Sequence, residues 1–459
     1  MLEIRKPNTK IKVAHITAHV GGGVGAVLRN FFAKSEDCEN YLICLDKCES
    51  NFSDFTNAKF AAHCVAFEPF NLYFNLLEVC DIVVLHYWNH PLMAKFLASI
   101  QIPACRLIFW CHNSGLHVPH IIPNYLSRMA QKIIFTSSCS MQVPNIDILA
   151  KSDISNYLGT LHSTRSLNEF IEIGLKRSSK STGRNLLYVG TVSYAKMHPT
   201  SAEILAKLSR QGNAIHVVGG PDDVLLASKV ASLGGKIEIY GSVRDVLNFY
   251  KKADIFIYPL RNDHYGTGEQ VILEALAAGL PVVAFGNPAE KAILANGIDS
   301  ILVSTANEFV EAVTGLINDP QRIQGMALNA VSGIQKNFNA QEMSNKLLQI
   351  FHEILGFEKL TPNLPTEFFV NANELSLYAL NSFFDERIYE SIIHDPTSGV
   401  ELVYSQIKPD LIDWSNAIRW LDTSKSTPFH YQRYFPDCLD LKLLTELIQN
   451  QVEIYKTTQ

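Results

Sequence analysis

The chain has 459 residues, of which 47% are hydrophobic and 18% are charged, so it is long enough for two large domains and too apolar for a disordered protein. Its 39 basic and 45 acidic residues give a formal net charge of −6, which argues against a nucleic-acid partner. The sequence has no apolar run long enough for a membrane span and no Cys-x-x-Cys pair among its nine cysteines, and with no apolar segment after the first basic residues we expect no secretory signal. We therefore expect a cytoplasmic, multi-domain globular protein.

Short apolar runs alternate with helical patterns through the first 350 residues or so, which predicts βαβ units with parallel sheets. The first series of predicted strands is Ile11–Thr17, Tyr41–Leu45, Asp81–His86, Arg106–Trp110 and Lys132–Thr136. The second series is Leu186–Val189, Ile215–Val218, Ile237–Tyr240, Ile255–Tyr258, Pro281–Phe285 and Ser300–Val303. Helical patterns such as Ser201–Ser209 and Val246–Lys252 lie between them.

A polar stretch, Ser163–Arg184, separates the two series and is typical of a linker. The pattern predicts two doubly wound, Rossmann-like α/β domains, 1–165 and 166–357, with a ligand cleft between them. Residues 358–459 lack this alternation and are predicted to be mostly helical. Within them, TPFHYQRYFPDCLDL is rich in aromatic residues; it either recognises an acceptor or partner, or packs as a helical cap.

The most informative segment runs from Ala253 to Phe285, where a strand is followed by a glycine-rich turn and a helix. Gly266-Thr267-Gly268 is predicted to open that helix, and its free N–H groups would favour an anion such as a phosphate. Glu274 would lie two turns in, on the same face as Gln270, where a carboxylate can accept hydrogen bonds from sugar hydroxyls. The alternative is a tight turn followed by a surface glutamate.

Other polar residues also follow predicted strands. Lys196, in the loop after Gly190, is suited to neutralising a diphosphate, although it could also be a solvated lysine. Gly21-Gly22-Gly23 precedes the first helix as a candidate anion cradle. His86 and His112 could hydrogen-bond a sugar hydroxyl, or could be structural histidines.

The segment GTGEQVILEALAAGLPVVAFGNPAEKAI resembles the donor-binding signature of retaining GT-B glycosyltransferases of family 4, the glycosyl transferases group 1. The order of GGGVGAV, LHYWNH, FWCHN, YVGTVSYAK, VVGGPDD and IYGSVRDVLNFYKKADIFIYPL is also similar, over roughly residues 10–355. The resemblance implies transfer of a hexosyl or N-acetylhexosaminyl unit from a nucleotide-diphosphate sugar, with UDP favoured over GDP and with retained configuration. The acceptor would be a glycan, glycolipid or glycoprotein, and the setting polysaccharide biosynthesis, in the cytoplasm or peripherally at the inner face of the membrane.

The resemblance also implies roles for individual residues. Glu274 would hold the ribose, Lys196 would bind the diphosphate, and His112 would lie beside the transferred sugar. Gly22 and Gly23 would let the first helix approach the phosphates. The remaining predicted donor contacts are Gly190, Thr191, Gly241, Val243, Gly266, Thr267, Gly268, Glu269 and Gln270. With no Asp-x-Asp pair in the sequence, we expect no metal and no cofactor, and helix N-termini with Lys196 would stabilise the leaving diphosphate.

The sequence departs from the family pattern at two positions. Gly266 stands where the family has an acidic residue that contacts the donor sugar, and Asp263, His264 or Glu269 could replace it. Thr191 stands where the family has an arginine, so Lys196 would act alone or with Arg261 or Lys291.

Two other functions fit parts of the sequence. Gly21-Gly22-Gly23-Val24-Gly25-Ala26 matches G-x-G-x-x-A, with Asp46 20 residues after Ala26, as in an NAD-dependent dehydrogenase. That reading leaves the 253–285 segment unexplained. The departures at Gly266 and Thr191 would also suit a catalytically weakened scaffold or a sugar-binding module, which measurable sugar transfer would exclude.

Overall fold

The computed structural model describes residues 10–46, 55–63, 71–99, 102–150, 157–177, 183–221, 223–363, 366–369 and 371–458. The chain divides into two compact units. The first takes its described residues from 1–165, 340–407 and 423–448, and the second from 166–339, 408–422 and 449–459. Both are α/β units with a parallel sheet, as predicted.

The first unit contains a sheet that, among the described residues, has seven parallel strands in the order β3-β2-β1-β4-β5-β6-β7. The strands are β1 (Ile11–Thr17), β2 (Cys38–Cys44), β3 (Ala58–His63), β4 (Ile82–Tyr87), β5 (Leu107–Cys111), β6 (Lys132–Phe135) and β7 (Leu158–Thr160). The five predicted strands are confirmed as β1, β2, β4, β5 and β6. Strands β3 and β7 were not predicted.

The second unit contains a sheet with six described parallel strands in the order β10-β9-β8-β11-β12-β13. They are β8 (Asn185–Val189), β9 (Ala214–Val218), β10 (Glu238–Ile239), β11 (Ile255–Tyr258), β12 (Val282–Phe285) and β13 (Ser300–Val303). All six predicted strands are confirmed. Because the strands are parallel, the loops that follow them meet at one edge of the sheet, and this edge holds the predicted donor residues.

Helices connect the strands and cover the sheets. Up to β7 they are α1 (Gly22–Lys34), α2 (Asn71–Val79), α3 (Pro91–Ser99), α4 (Leu126–Met129) and α5 (Ile146–Leu149). In residues 166–339 they are α6 (Asn168–Leu175), α7 (Ser201–Arg210), α8 (Asp223–Ser232), α9 (Leu247–Lys252), α10 (Gln270–Ala277), α11 (Pro288–Lys291), α12 (Ala306–Ile317) and α13 (Pro320–Asn337).

The remaining helices confirm that the C-terminal region is helical. They are α14 (Ala340–Leu355), α15 (Thr366–Phe369), α16 (Glu374–Ser382), α17 (Glu386–His394), α18 (Pro396–Ile407), α19 (Trp414–Ala417), α20 (Pro428–Tyr434) and α21 (Leu439–Thr458). Short 3₁₀ helices cover Ser138–Gln142, Lys408–Ile412 and Ile418–Leu421. Among the described residues, none of these helices is both long and apolar enough to span a membrane.

Helix α14 departs from the predicted boundary at residue 357. Its residues Met343, Leu347 and Phe351 are buried in the same cluster as alternate residues of β1, β4 and β5. The Phe351 ring lies 5.9 Å from that of Phe31 in α1. Because α14 supplies the apolar cover of one face of the first sheet, the chain returns to the first unit at residue 340.

The C-terminal region, predicted as a mostly helical extension over residues 358–459, is divided between the two units. Asn381 of α16 accepts hydrogen bonds from the hydroxyls of Tyr87 and Tyr125, at 3.0 and 2.9 Å, inside the first unit. Residues 408–422 pack in the second unit instead, and the division between the units falls again within α21. The region is thus distributed over both units, because its polar and apolar side chains find their partners in each.

Candidate functional site

Lys196 forms a buried ion pair at the carboxyl edge of the second sheet. Its Nζ lies 3.0 Å from Glu269 Oε2, and the two side chains are only 12% and 3% exposed. Glu269 also accepts a hydrogen bond of 2.5 Å from the hydroxyl of Tyr258. The rings of Tyr258 and Tyr265 lie 5.6 and 5.7 Å from Nζ. Lys196 is therefore not a solvated surface lysine.

Both members of this pair carry their charges at neutral pH. Burial lowers the pKa of Lys196, but the Glu269 carboxylate outweighs that effect, so the pKa is raised above its ordinary value. Burial raises the pKa of Glu269, but Lys196 outweighs it, so that pKa is lowered. An anionic ligand can therefore reach the ammonium only by sharing it with the glutamate or by displacing the glutamate.

Glu269 fills the space that a side chain at position 266 would need. A Cβ built on Gly266 would lie 1.7 Å from Glu269 Oε1, which is far inside van der Waals contact. The carboxylate of Glu269 thus occupies the region into which an acidic residue at 266 would extend. Of the three predicted replacements for that acidic residue, this geometry favours Glu269.

Asp263 and Arg261 are occupied by other contacts. Asp263 pairs with Arg261 and with Arg419 of the 408–422 segment, through both carboxylate oxygens. Arg261 also donates to the Tyr194 carbonyl at 2.7 Å and to Asn416 Oδ1 at 3.0 Å. The structure therefore does not support Asp263 as a sugar contact or Arg261 as a second phosphate cation.

His264 has both ring nitrogens engaged within the protein. Its Nδ1 accepts a hydrogen bond of 2.9 Å from the Gly266 N–H, and its Nε2 lies 3.0 Å from a Glu290 oxygen. Burial lowers the pKa of His264, but the Glu290 carboxylate outweighs it and raises that pKa. His264 thus shapes the loop, and the structure does not support it as a donor or acceptor contact.

The helix predicted to open at Gly266-Thr267-Gly268 begins later. Helix α10 starts at Gln270, with Glu269 at its N-cap position, and the three preceding residues lie in a loop. The Gly266 N–H donates to His264, so it is not one of the helix-terminal amides expected to bind a phosphate. The prediction of a helix N-terminus at Gly266–Gly268 was therefore wrong by two to four residues. The His264 side chain accepts a hydrogen bond from the Gly266 N–H and so keeps these residues in a loop.

Glu274 lies in the second turn of α10 and is 5% exposed, so it is not a surface glutamate. The hydroxyl of Tyr250 donates to its Oε2 at 2.9 Å. Five residues separate Glu274 from Glu269, which corresponds to roughly 7.5 Å along a helix axis. Since Lys196 bonds to Glu269, the structure brings Lys196 to the start of the helix that carries Glu274.

The other predicted donor loops converge on the same edge. The Gly190 N–H donates to the Val218 carbonyl at 3.0 Å, and the Gly219 N–H donates to the Gly241 carbonyl at 2.8 Å. A Cβ on Gly219 would lie 1.8 Å from the Gly190 oxygen, so this contact requires glycine. Thr191 accepts from the Tyr188 hydroxyl through its carbonyl at 2.6 Å, and Val243 is half-buried against the core. Lys291, by contrast, is exposed.

In the first unit, three histidines form a hydrogen-bonded chain. His112 Nε2 lies 2.9 Å from His86 Nδ1, and His86 Nε2 lies 3.1 Å from His15 Nδ1. The chain ends at Asn40, whose Oδ1 lies 3.3 Å from His15 Nε2 and whose Nδ2 donates to Ser35 Oγ at 2.8 Å. His15 was not among the predicted site residues. Nothing in the sequence shows that a histidine inside an apolar strand has hydrogen-bond partners.

This chain fixes one tautomer for each ring. Since Asn40 presents its oxygen, His15 carries its proton on Nε2, and the same orientation follows for His86 and then His112. Burial lowers the pKa of His112 to about 3 and that of His15 to about 3, so both rings are neutral. The hydroxyl of Thr136 lies 3.3 Å from His112 Nδ1, but it donates its hydrogen bond to the Cys111 carbonyl, at 2.7 Å. His112 therefore keeps Nδ1 as a hydrogen-bond acceptor.

The glycine-rich segment of the first unit lies between β1 and α1. Gly22 and Gly23 are exposed in the first turn of α1, and their contact with a donor phosphate stays a prediction. Asp46, the acidic residue of the dinucleotide pattern, accepts a hydrogen bond of 2.5 Å from Tyr434. This contact gives the dehydrogenase interpretation no support.

Removing the Asp263 charge should destabilise the protein in a pH-dependent way. Arg419 and Arg261 overcome burial and lower the pKa of Asp263 from 3.8 to about 2. The ionised Asp263 carboxylate thus contributes to the free energy of unfolding above pH 3.8, and this contribution is lost as the pH falls towards 2. Asp263→Asn should cost about 2 kcal/mol near neutral pH, measured from urea midpoints, and the difference from wild type should close in acid. Asp37→Asn, an exposed carboxylate change, should show neither effect; a constant difference at all pH values would contradict the assignment.

The histidine chain should be visible by NMR. In the wild type, long-range ¹H–¹⁵N spectra at neutral pH should show His112 as one tautomer with its proton on Nε2. In His86→Leu that acceptor is gone, and His112 should become a mixture of tautomers, whereas His216→Leu in the second unit should change nothing. A wild-type His112 protonated on Nδ1 would refute the chain as described.

Comparisons with known proteins give a family-model match within the second unit. Residues 183–319 match the family model described as "Glycosyl transferases group 1". The chain is 24% identical over 271 residues to the lipopolysaccharide core biosynthesis mannosyltransferase LpcC of Rhizobium leguminosarum bv. viciae, covering 51% of this chain and 75% of that protein. It is 26% identical over 184 residues to the phosphatidyl-myo-inositol mannosyltransferase of Mycolicibacterium smegmatis, covering 38% of this chain and 46% of that one.

Solved structures show the same fold. A glycosyltransferase from Rickettsia africae superposes with a TM-score of 0.58 at 17% identity, over 76% of this chain and 99% of that one. Anabaena Alr3699/HepE in complex with UDP and glucose superposes with a TM-score of 0.57 at 16% identity, over 75% and 100%. The two parallel-sheet units thus have the GT-B type of fold, and residues 183–319 form a Glycosyl transferases group 1 domain.

Proposed function

We propose that this protein is a retaining, metal-independent glycosyltransferase that moves a hexosyl or N-acetylhexosaminyl unit from a UDP-sugar to a glycan, lipid-linked or protein-linked acceptor. The observation that carries the proposal is the buried pair of Lys196 and Glu269 at the start of α10, the helix that carries Glu274. All three residues lie within the stretch 183–319 that matches the family model. The buried Lys196 ammonium suits a diphosphate, and the carboxylates of Glu269 and Glu274 suit the hydroxyls of the two attached sugars. The glycine loops at the same sheet edge let the backbone come close to such a ligand.

The comparisons support the donor class. Two relatives are named as mannosyltransferases, and the neighbouring HepE structure contains UDP and glucose. These names concern those proteins, and the donor of this chain is our inference from the site. We infer that the enzyme serves polysaccharide or glycolipid assembly in the cytoplasm or at the inner face of the membrane.

Lys196 would bind the donor diphosphate by exchanging partners. In the structure its charge is balanced by Glu269, so an incoming diphosphate competes with that carboxylate for one ammonium. Released from Lys196, Glu269 can accept hydrogen bonds from the hydroxyls of the transferred sugar. Glu274, held by Tyr250, would accept hydrogen bonds from the two ribose hydroxyls.

In the transfer step, the bond from the anomeric carbon to the diphosphate oxygen breaks, and a bond from that carbon to the acceptor oxygen forms on the same face. Negative charge grows on the departing diphosphate, where Lys196 stabilises it electrostatically. The proton of the acceptor hydroxyl passes to a phosphate oxygen of the leaving UDP. His112, whose Nδ1 is unprotonated, would accept a hydrogen bond from a hydroxyl of the transferred sugar.

Removing either donor-binding side chain should impair both binding and turnover. We expect Lys196→Ala and Glu274→Ala each to reduce transfer, or slow donor hydrolysis, by about tenfold or more, because each loses a charge-assisted contact worth roughly 1.5–3 kcal/mol. UDP affinity should fall in parallel. Lys336→Ala, which removes an exposed lysine of α13 in the same unit, is the matched control and should stay near wild type.

A thermal-shift series with UDP, GDP, ADP and CMP identifies the base. UDP should stabilise the wild type most, and stabilisation should be weaker in Lys196→Ala. Normal rates in both Lys196→Ala and Glu274→Ala, or no stabilisation by any of these nucleotides, would reject the proposal.

Substitution of Glu269 should affect UDP affinity and turnover differently. Glu269→Gln removes the competitor for the Lys196 ammonium, so UDP affinity should be unchanged or higher. Turnover should nevertheless fall by about tenfold or more, because the amide replaces a charged hydrogen-bond acceptor for the sugar. Isothermal titration with UDP and steady-state kinetics measure the two quantities. Parallel losses of UDP affinity and turnover would show instead that Glu269 only positions Lys196.

A further inference from the structure

A second cluster of histidines in the first unit is not used by the proposed donor site. His19, His90 and His430 surround Trp88: the ring centroids of His19 and Trp88 are 5.3 Å apart, those of Trp88 and His90 4.7 Å, and those of His90 and His430 4.9 Å. His19 follows β1, His90 follows β4, and His430 belongs to α20 of the C-terminal region. We call these four residues the imidazole cluster.

Each imidazole of this cluster uses the same nitrogen to accept a backbone hydrogen bond. Nδ1 of His19 accepts from the Gly21 N–H at 3.2 Å, Nδ1 of His90 from the Leu92 N–H at 3.1 Å, and Nδ1 of His430 from the Ser426 N–H at 3.1 Å. Since Nδ1 must keep its lone pair, the ring proton lies on Nε2 in all three. Burial lowers the pKa of each ring, so all three are neutral hydrogen-bond donors.

These Nε2–H groups have no partner within the part of the chain that the structure describes. His90 and His430 are only 1% and 2% exposed, so each side chain is almost entirely enclosed. The Nε2 atoms of His90 and His430 are nevertheless not among the fully buried, unbonded side-chain atoms of the described residues, so each keeps some solvent-accessible surface. Two nearly buried side chains thus each present one unpartnered donor to a ligand.

The surroundings of the imidazole cluster are electropositive. The charges of Lys425 and Arg433 are close enough to lower the pKa of His90 and of His430 further. These two positive charges add to the three imidazole donors.

The nearby carboxylate does not reverse this polarity. Asp46 is close enough to raise the pKa of His19, but burial and the charge of Lys425 lower that pKa more. Asp46 accepts a hydrogen bond of 2.5 Å from Tyr434, which belongs to the same helix as His430. The cluster therefore combines N–H donors with positive charge, which is the chemistry that binds an oxyanion.

We propose that the imidazole cluster, with Lys425 and Arg433, binds an oxyanion, a phosphate or carboxylate group, carried by the acceptor substrate. This assignment rests on the proposed function, because it takes the donor diphosphate to be bound by Lys196 in the other unit. It gives residues 423–434 a role as the part of the C-terminal region that selects a negatively charged acceptor. It also explains why three histidines share one tautomer with the donor nitrogen open.

The proposal is tested with inorganic phosphate and the full-length protein. Calorimetric titration should detect phosphate binding to the wild type, and histidine ¹⁵N spectra should show the Nε2–H signals of His90 and His430 shifting on its addition. The double variant Lys425→Gln/Arg433→Gln should weaken phosphate affinity by about tenfold or more, as loss of charged partners predicts. Lys442→Gln, an exposed lysine in the neighbouring helix α21, is the control and should bind phosphate as the wild type does.

Two further arms separate this site from the donor site. Phosphate should still shift the His90 and His430 signals in Lys196→Ala and in protein saturated with UDP. If UDP or Lys196→Ala abolishes those shifts, the cluster belongs to the donor diphosphate and the acceptor assignment is overturned. Absence of phosphate binding to the wild type, or unchanged affinity in the double variant, overturns it as well. Loss of UDP binding with phosphate binding intact would instead reject the donor site alone.

Discussion

The buried ion pair between Lys196 and Glu269 is the interaction on which the second unit's site depends. It joins the loop after β8 to the loop that precedes α10, and the Tyr258 hydroxyl bonds to the same carboxylate. Two charges removed from water are tolerated only when each satisfies the other, so loss of one leaves a costly uncompensated charge. The pair therefore balances its own two charges, and in the function we propose a donor diphosphate would take the place of the carboxylate at Lys196.

In the first unit, the buried polar groups at the edge of the sheet are neutral histidines and not an ion pair. His86, His90 and His112 lie at or beyond the carboxyl ends of β4 and β5, where burial keeps them uncharged, and each has at least one ring nitrogen hydrogen-bonded inside the protein. The chain from His112 to Asn40 and the imidazole cluster both assign one definite tautomer to every ring. A parallel sheet can therefore present ordered donors and acceptors at its carboxyl edge without burying charge.

The C-terminal region connects these two kinds of site to the rest of the chain. Arg419 binds Asp263 and fixes the loop beside Lys196 in the second unit, while His430 completes the imidazole cluster in the first. Helix α14 covers the first sheet through Phe351. Residues after 340 are thus structural in both units and contribute directly to one site.

The sequence by itself determined eleven of the thirteen described strands, the parallel α/β class, the positions of Lys196 and His112 after strand ends, and the position of Glu274 in the helix that follows β11. It could do so because apolar runs, glycines and polar residues follow each other at short range, and parallel strands place their ends at one edge. It could not determine that Glu269 pairs with Lys196, that Arg419 pairs with Asp263, or that α14 covers the first sheet. Those pairings join residues 73 to 156 positions apart, or cover a surface that exists only after folding, so only the tertiary structure decided them.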